Sequence, residues 1–285
     1  MRWNLISEKS KITIIGLGVL GGSYAKGFAK AGIQAYAVDL NEDALRFAKE
    51  NHWIKDGSTD PSLVKDSDLV ISCLYPHTFI QWVKDNQKYF RPGTLLSDVT
   101  GVKRKVISAI NDELRKDCEF IACHPMAGRE SRGLAYADES RFENANFIIV
   151  PTEKNTKEAV DTAYQMARIL KLGRVCELSA EEHDRMIGFL SQLTHVIAVS
   201  LMNTSDHSHL ADYTGDSFRD LTRIANINED LWPELFVMNK DYLLEEIHAF
   251  THEMESFAGL IEKEDYAAMR RKLIQSTKRR KQFDK

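Results

Sequence analysis

A histidine that directly follows a predicted strand is the first residue in this sequence that could carry chemistry. His124 closes the apolar segment Glu119-Phe-Ile-Ala-Cys123, and Pro125 restricts its backbone to extended conformations. In doubly wound α/β folds, ligands bind beyond the carboxyl ends of the strands. A neutral imidazole there can accept a proton from an alcohol while hydride leaves the carbinol carbon. The position alone leaves a structural and a catalytic role equally open.

A glycine-rich turn near the N-terminus has the spacing of a dinucleotide-binding loop. It follows the apolar run Ile12–Ile15 and precedes a helical pattern. Its glycines allow a tight turn, close approach of the backbone to a pyrophosphate, and close packing of helix on strand. The helix N-terminus adds free N–H groups for the phosphates. The predicted contact residues are Gly16, Leu17, Gly18, Val19, Leu20 and Gly21.

An acidic residue at the end of the second predicted strand indicates which dinucleotide is bound. Asp39 lies 18 residues after Gly21. A carboxylate at this place accepts hydrogen bonds from the adenosine ribose hydroxyls and repels a 2′-phosphate. The sequence therefore predicts NAD as the cofactor, rather than NADP.

The two halves of the chain differ in their hydrophobic patterns. Up to about residue 178, short apolar runs alternate with helical segments, which predicts an α/β domain with a parallel sheet covered on both faces. Ser179 then resembles a helix N-cap, and only helical patterns follow. We therefore predict a Rossmann-like nucleotide-binding domain over residues 1–178 and an all-α domain over residues 179–285. The predicted strands are Ile12–Ile15, Ala35–Val38, Leu69–Leu74, Thr94–Leu96, Phe120–Ala122, Phe147–Val150 and Arg174–Leu178.

Composition narrows the class of protein. The 285 residues carry a net charge of -4, so no general basic field favours nucleic acid. Residues 1–10 do not resemble a signal peptide, and no apolar run approaches the roughly 20 residues of a spanning helix. No cysteine pair has CxxC spacing, and His248 and His252, although spaced i, i+4 as a metal pair can be, lack the HExxH arrangement. We expect a cytoplasmic protein without a metal, a membrane segment or a nucleic-acid partner.

Four ordered motifs resemble those of prephenate and arogenate dehydrogenases. They are the glycine loop, the run from His124 to Glu130 (HPMAGRE), the helix motif His183-Asp184 with Ser191 and His195, and the run from Phe218 to Ala225 (FRDLTRIA). Because the motifs span both halves, the resemblance is specific. It implies an NAD-dependent enzyme of tyrosine biosynthesis that oxidatively decarboxylates prephenate, and a homodimer formed through the helical domain.

The resemblance also implies roles for individual residues. His124 would accept a hydrogen bond from the ring hydroxyl of the substrate, and Arg223 would hold a substrate carboxylate. Glu130, Asp184 and Asp220 would form an ionic network with Arg223 at the pocket mouth. The resemblance further places Ser191 among the substrate-binding residues and Trp232 at the pocket of the neighbouring subunit.

One loop departs from the family pattern. Relatives have a serine that contacts the substrate hydroxyl in a D-x-G-S-V-K loop, where this chain has Asp98-Val-Thr100-Gly101-Val-Lys103. Either Thr100 replaces that serine through a shifted backbone, or His124 works without this partner. We favour the replacement by Thr100.

The two histidines of the helix motif cannot share one role. His183 and His195 are 12 residues apart, roughly 18 Å along a straight helix. We assign His195 to the side chain of the substrate, and His183 to packing near the nicotinamide or to substrate orientation. For each, a half-buried histidine with a satisfied hydrogen bond is the alternative.

Three other functions are compatible with parts of the pattern. Arogenate differs from prephenate by a side-chain amine, and the sequence does not separate the two substrates. The β-hydroxyacid dehydrogenases share the predicted architecture but use a helix lysine that has no counterpart here. An NAD-sensing protein without activity would not need both His124 and Arg223. NADH formation with prephenate, arogenate and 3-hydroxyisobutyrate would separate these alternatives.

Overall fold

An eight-stranded sheet forms the centre of the N-terminal half. The computed structural model describes residues 6–7, 9–128, 131–206 and 209–283. The strand order is β3-β2-β1-β4-β5-β6-β7-β8. The strands are β1 Ile12–Ile15, β2 Ala35–Val38, β3 Ile54–Ser58, β4 Leu69–Ser72, β5 Leu95–Asp98, β6 Glu119–Pro125, β7 Asn146–Val150 and β8 Arg174–Glu177.

The predicted parallel sheet is in fact mixed. β1 to β6 are parallel, but β7 pairs antiparallel with β6, and β8 is parallel to β7. The difference follows from the connection between β6 and β7. Residues 126–145 contain short 3-10 turns rather than a crossover helix in their described part, and a parallel neighbour would need such a crossover.

Helices follow most of the strands and form the described chain after β8. The bounds are α1 Val19–Lys30, α2 Glu42–Glu50, α3 Pro76–Asn86, α4 Arg104–Glu113, α5 Lys157–Ile169, α6 Ala180–Ile187, α7 Thr194–Asn203, α8 Leu210–Tyr213, α9 Asp216–Thr222, α10 Leu231–Met238, α11 Lys240–Glu262 and α12 Tyr266–Arg280. Alternate strand residues point to opposite faces, which creates two buried clusters. One contains Tyr24 and Phe28 of α1, and the other contains Phe79 of α3 and Leu235 of α10.

The helix after the sheet begins as predicted. The Ser179 hydroxyl accepts a hydrogen bond from the Glu182 backbone N–H at 3.2 Å, and the Glu182 carboxylate accepts one from the Ser179 N–H at 3.0 Å. This reciprocal cap satisfies N–H groups that the first helical turn leaves open. Between α6 and α7, residues Gly188–Leu193 adopt a π-helical conformation. Such segments are frequent at functional sites.

The combined helix Ala180–Asn203 is also unusually apolar. Its 24 residues have a mean hydropathy of 1.4 over the most apolar window, of which 28% is buried. By length and composition it could cross a membrane, but core helices of soluble proteins meet the same criterion. The expected absence of a membrane segment therefore stays a prediction.

The chain divides into two compact units, Met1–Asn239 and Lys240–Lys285. The first holds the sheet and the helices through α10, so the predicted domain boundary after residue 178 lies within it. The second is a pair of helices, α11 and α12. The side chain of Asp265 caps α12 through the Ala268 N–H at 2.9 Å, and Lys272 forms an ion pair with Glu253 at 2.6 Å.

Candidate active site

The glycine loop between β1 and α1 has the geometry that a pyrophosphate requires. Gly16 has a φ of +88°, and a Cβ atom on Gly21 would lie 1.8 Å from the Gly16 carbonyl oxygen. By contrast, a Cβ on Gly18 would meet no atom within 4 Å. Gly18 is the N-cap of α1, and no side chain caps that helix. The first N–H groups of α1 therefore face open space, which fits a dinucleotide phosphate.

Asp39 organises this loop. Its carboxylate accepts hydrogen bonds from the backbone N–H groups of Leu17 at 2.5 Å and Asn41 at 2.7 Å. The side chain thus stands at the carboxyl end of β2, beside the loop, where a ribose would lie. Its negative charge suits a ribose diol and opposes a phosphate ester.

A cavity of about 340 Å³ opens beside the glycine loop. The residues singled out from the sequence that line it are Leu20, Gly101, His124, Ser191, His195, Arg223 and Trp232. Its remaining walls come mainly from α10 and from the segment after β6. The structure thus brings residues from all four sequence motifs to one place.

His124 is the first of three side chains joined by hydrogen bonds, a relay that leads from the cavity into the interior. His124 Nδ1 lies 2.9 Å from His183 Nε2, and His183 Nδ1 lies 2.8 Å from the Asp184 carboxylate. Because the carboxylate can only accept, His183 carries its proton on Nδ1 and offers a lone pair at Nε2. His124 must therefore donate from Nδ1. Its own Nε2 is left with a lone pair, as a general base requires.

Asp184 is the fixed end of this chain. It is fully buried and accepts hydrogen bonds from the backbone N–H groups of Lys103 at 2.8 Å and Arg104 at 2.9 Å, at the start of α4. The Arg104 guanidinium adds a contact at 3.3 Å. Burial raises the pKa of the Asp184 carboxyl, but the bonds from His183, Arg104 and Lys103 outweigh it, so its pKa lies below the ordinary value. The carboxylate is therefore ionised at neutral pH.

The two histidines are held neutral. Burial, followed by repulsion from His183 and Lys103, places the pKa of His124 well below its ordinary value. Burial also lowers the pKa of His183, although the hydrogen bond to Asp184 opposes this. At neutral pH, His124 is thus unprotonated and ready to accept a proton.

A buried ion pair fixes the backbone beneath His124. Lys103 donates to Asp98 at 2.6 Å and to the carbonyl oxygen of Cys123 at 2.6 Å. Asp98 in turn accepts from the Cys123 N–H at 3.0 Å. The N–H and the carbonyl group of Cys123, the residue before His124, are therefore both tied to one ion pair, which holds the backbone that carries the imidazole.

The structure places Thr100 in this buried cluster rather than on the cavity wall. Its hydroxyl contacts the Asp98 carboxylate and the Val102 carbonyl oxygen, and only 5% of the residue is exposed. The expected replacement of the family serine by Thr100 therefore does not match this geometry. Gly101 lines the cavity instead, and a Cβ on it would lie 4.0 Å from His124 Nε2. His124 has no hydroxyl partner from this loop.

His195 and Trp232 form the opposite wall. His195 Nδ1 donates to the Ser191 carbonyl oxygen at 2.8 Å, and the ring lines the cavity. The Trp232 ring lies on the His195 ring with 3.7 Å between centroids. Within the single chain, Trp232 lines this cavity, and its role at a neighbouring subunit stays a prediction. The helix α10, which packs on α3, carries it there.

The described residues of the predicted ionic network lie at different depths in the structure. Arg223 lines the cavity, and Asp220 is exposed on α9. Asp184 was expected beside Arg223, but it lies beneath His183, because its hydrogen bonds to the start of α4 draw it into the interior. Glu130 lies outside the described residues. The contact of the His183-Asp184 pair with His124 was not predicted, although the adjacent imidazole and acid were an available signal.

Comparison with known proteins agrees with this geometry. The family model described as "Prephenate dehydrogenase, nucleotide-binding domain" matches residues 25–175, and "Prephenate dehydrogenase, dimerization domain" matches residues 179–275. A prephenate dehydrogenase of Bacillus subtilis is 30% identical over 268 residues, which cover 90% of this chain and 71% of the relative. A cyclohexadienyl dehydrogenase of Zymomonas mobilis is 26% identical and covers 89% of both chains.

A solved structure extends the match to three dimensions. The prephenate dehydrogenase of A. aeolicus, in complex with hydroxyphenyl propionate and NAD+, superposes with a TM-score of 0.90 at 27% identity. The match covers 99% of this chain and 100% of the other. The two family models match both halves of the sequence, and relatives named prephenate dehydrogenase match it in sequence and in structure. The chain belongs to the prephenate dehydrogenase family.

Proposed function

We propose that the protein oxidatively decarboxylates prephenate with NAD⁺, forming 4-hydroxyphenylpyruvate, CO₂ and NADH for tyrosine synthesis. The strongest support for this proposal is the hydrogen-bonded relay that ends at His124. The Asp184–His183–His124 chain presents an unprotonated Nε2 to a cavity that reaches from Leu20 beside the glycine loop to Arg223 and His195. This arrangement suits a substrate with an alcohol at one end and carboxylates elsewhere.

The residues of the chain would act on the two ends of prephenate. His124 Nε2 accepts the hydroxyl proton as hydride leaves the carbinol carbon, and the bound nicotinamide supplies the hydride acceptor. The resulting ketone draws the electron pair of the ring carboxylate into the ring as CO₂ departs. The phenolate oxygen then takes the proton back from His124, so no net proton is released. Because aromatisation drives the second step, the protein mainly positions and polarises.

The charge pattern of the cavity favours prephenate over arogenate. The lining residues that the structure describes include Arg223 and His195 but no carboxylate. The side-chain ammonium of arogenate would therefore lack an acidic partner among them, whereas Arg223 offers a cationic group to the carboxylates that both substrates carry. The proposal is tested by NADH formation with prephenate, arogenate and 3-hydroxyisobutyrate. A higher kcat/KM for either of the other two than for prephenate would refute it.

Asp39 should determine the choice of cofactor. We expect NAD⁺ to exceed NADP⁺ in kcat/KM by at least about tenfold, since repulsion of a 2′-phosphate by roughly 1.4 kcal/mol gives that ratio. Replacement of Asp39 by asparagine should reduce the ratio, because it removes the charge but keeps an acceptor for the Leu17 N–H. Initial rates with both cofactors measure it. Equal use of the two by the unaltered protein would contradict the prediction.

Arg223 should contribute mainly to substrate binding. Its guanidinium can hold a carboxylate through two parallel hydrogen bonds. Arg223→Ala is expected to raise KM for prephenate by about 10- to 100-fold, with a smaller change in kcat, because the carboxylate it holds does not change charge during hydride transfer. Arg219→Ala, on the preceding turn of α9, is the matched control. A fall in kcat at unchanged KM would assign Arg223 to the transition state.

The helical half should form the homodimer that the dimerization-domain match suggests. Several large apolar side chains are exposed on the single chain, among them Phe189, Leu190, Met202, Leu221 and Val237. A surface of this kind is typical of protein interfaces. Light scattering at micromolar concentration should give twice the 32.5 kDa of one chain. A mass of one chain would contradict the proposal. Such an enzyme would act in the cytoplasm, where its nucleotide cofactor is available.

A further inference from the structure

Asn228 joins the wall of the cavity to the nucleotide-binding half of the first unit. It is buried, with 9% of its surface exposed. Its Nδ2 donates to the Tyr75 hydroxyl at 2.6 Å, and its Oδ1 accepts from Arg132 at 2.8 Å. The same Oδ1 accepts from the backbone N–H groups of Asp230 at 3.1 Å and Leu231 at 3.0 Å. One amide group thus connects three separate segments of the chain.

The hydrogen bonds of Asn228 hold the beginning of α10. Its side chain satisfies N–H groups that a helix start leaves open, and its carbonyl oxygen accepts from the Trp232 N–H at 3.1 Å. Trp232 and Leu235 of this helix line the cavity, and Trp232 lies against His195. The position of Asn228 therefore determines where the aromatic wall of the cavity stands.

Tyr75 lies on the other side of this connection, in the turn between β4 and α3. That turn packs directly on the glycine loop, since a Cβ on Gly16 would lie 3.0 Å from Leu74 Cδ2. Besides the Tyr75–Asn228 hydrogen bond, a second contact joins this region to α10: the His77 N–H donates to the Glu234 carboxylate at 3.0 Å. One short turn thus touches both the nucleotide loop and α10.

We propose that Tyr75 and Asn228 are positioning residues that couple the nucleotide loop to the Trp232 wall of the substrate cavity. A nucleotide on the glycine loop restrains the β4–α3 turn, and the Tyr75–Asn228 hydrogen bond transmits that restraint to α10. The substrate then meets a wall that is already in place. The His124 relay belongs to other elements and does not depend on this bond. The inference rests on the proposed function only for the identity of the substrate.

Tyr75→Phe removes the hydroxyl and retains the ring. We expect KM for prephenate to rise about tenfold, as for the loss of one buried hydrogen bond, with kcat within about twofold and the Kd of NAD⁺ without substrate unchanged. Tyr89→Phe, the same change just after the C-terminal end of α3, is the matched control and should have the KM and kcat of the unaltered protein. In a Trp232→Ala background, Tyr75→Phe should have no further effect on KM. Additive effects of the two changes, or a fall in kcat at constant KM, would overturn the proposal.

A second readout does not depend on catalysis. The fluorescence of Trp232 is the component that is lost in Trp232→Phe. Acrylamide should quench this component more strongly in Tyr75→Phe than in the unaltered protein, because the indole is less well held. Added NAD⁺ should lower this quenching in the unaltered protein and not in the variant. If prephenate is not a substrate, the proposed function fails while this comparison still decides the coupling. Equal quenching in both proteins, with and without NAD⁺, would overturn the inference.

Discussion

Replacement of His124 by alanine is expected to lower kcat for prephenate about 10²- to 10⁴-fold, the usual contribution of a positioned general base. The Kd of NAD⁺ should change little, because the glycine loop and Asp39 lie on β1, α1 and β2 rather than on β6. The fall in kcat is expected because the lone pair on His124 Nε2 is the only proton acceptor of this imidazole once Nδ1 donates to His183.

The experiment compares single-turnover and steady-state rates with NAD⁺ affinity. His248→Ala, an exposed histidine of α11, is the matched control and should retain the unaltered kcat. A His124→Ala variant with near-normal kcat would remove this residue from the mechanism, and the proposed chemistry with it.

The pH dependence supplies an independent check of the same group. Because burial holds the pKa of His124 well below 6.5, the imidazole stays unprotonated through mildly acidic pH. The activity should therefore be constant from pH 8 down to about pH 6 and fall only at lower pH. A loss of kcat centred at or above pH 6.5 would show that His124 is not held neutral in this way.

Asp184→Asn should have the second large effect, although Asp184 lies outside the cavity. An asparagine amide can donate to His183 Nδ1, which would reverse both imidazoles and place a proton on His124 Nε2. A comparable Asp-to-Asn change at the histidine of a serine protease, which yields the wrong tautomer, costs about 10⁴-fold in kcat. We expect a loss of about 10²- to 10⁴-fold here, with KM for prephenate changed much less.

The control must separate this effect from simple destabilisation, since Asp184 also caps α4. Asp161→Asn removes an exposed carboxylate of α5 that pairs with Lys157, and it should leave kcat unchanged. His183→Phe keeps the buried volume and removes the relay, so its kcat should fall as far as that of Asp184→Asn. If either relay variant binds NAD⁺ normally and retains full kcat, the relay has no catalytic role.

Local hydrophobic patterns in the sequence were sufficient to predict much of the fold. The bounds of β1 and β2 were predicted to the residue, because short buried parallel strands are continuous apolar runs. β3 was not predicted, since its sequence Ile-Lys-Asp-Gly-Ser has one buried apolar residue and lies at the sheet edge. The reversed direction of β7 was also missed, because a strand's own residues do not encode which neighbour it pairs with.

In the candidate site, too, local sequence predicted some features, and tertiary packing determined the others. The glycine loop and Asp39 are contiguous in sequence or follow from one βαβ unit, so their placement next to each other could be predicted. His183 meets His124 across 59 positions, and Asp184 meets the start of α4 across 81. Distances of that kind depend on how α6 packs on α4, which no local spacing reveals. Thr100 was misjudged because a backbone turn, not residue type, decides which way its hydroxyl points.

The measurement that tests the central claim most directly is the stoichiometry of the reaction with prephenate and NAD⁺. NADH, CO₂ and 4-hydroxyphenylpyruvate, determined in the same sample, should appear in a ratio of 1:1:1, and Asp184→Asn and His124→Ala should slow all three together. NADH without CO₂ would mean that the cavity oxidises an alcohol but does not direct the loss of the ring carboxylate. No NADH from prephenate at any concentration would contradict the account as a whole.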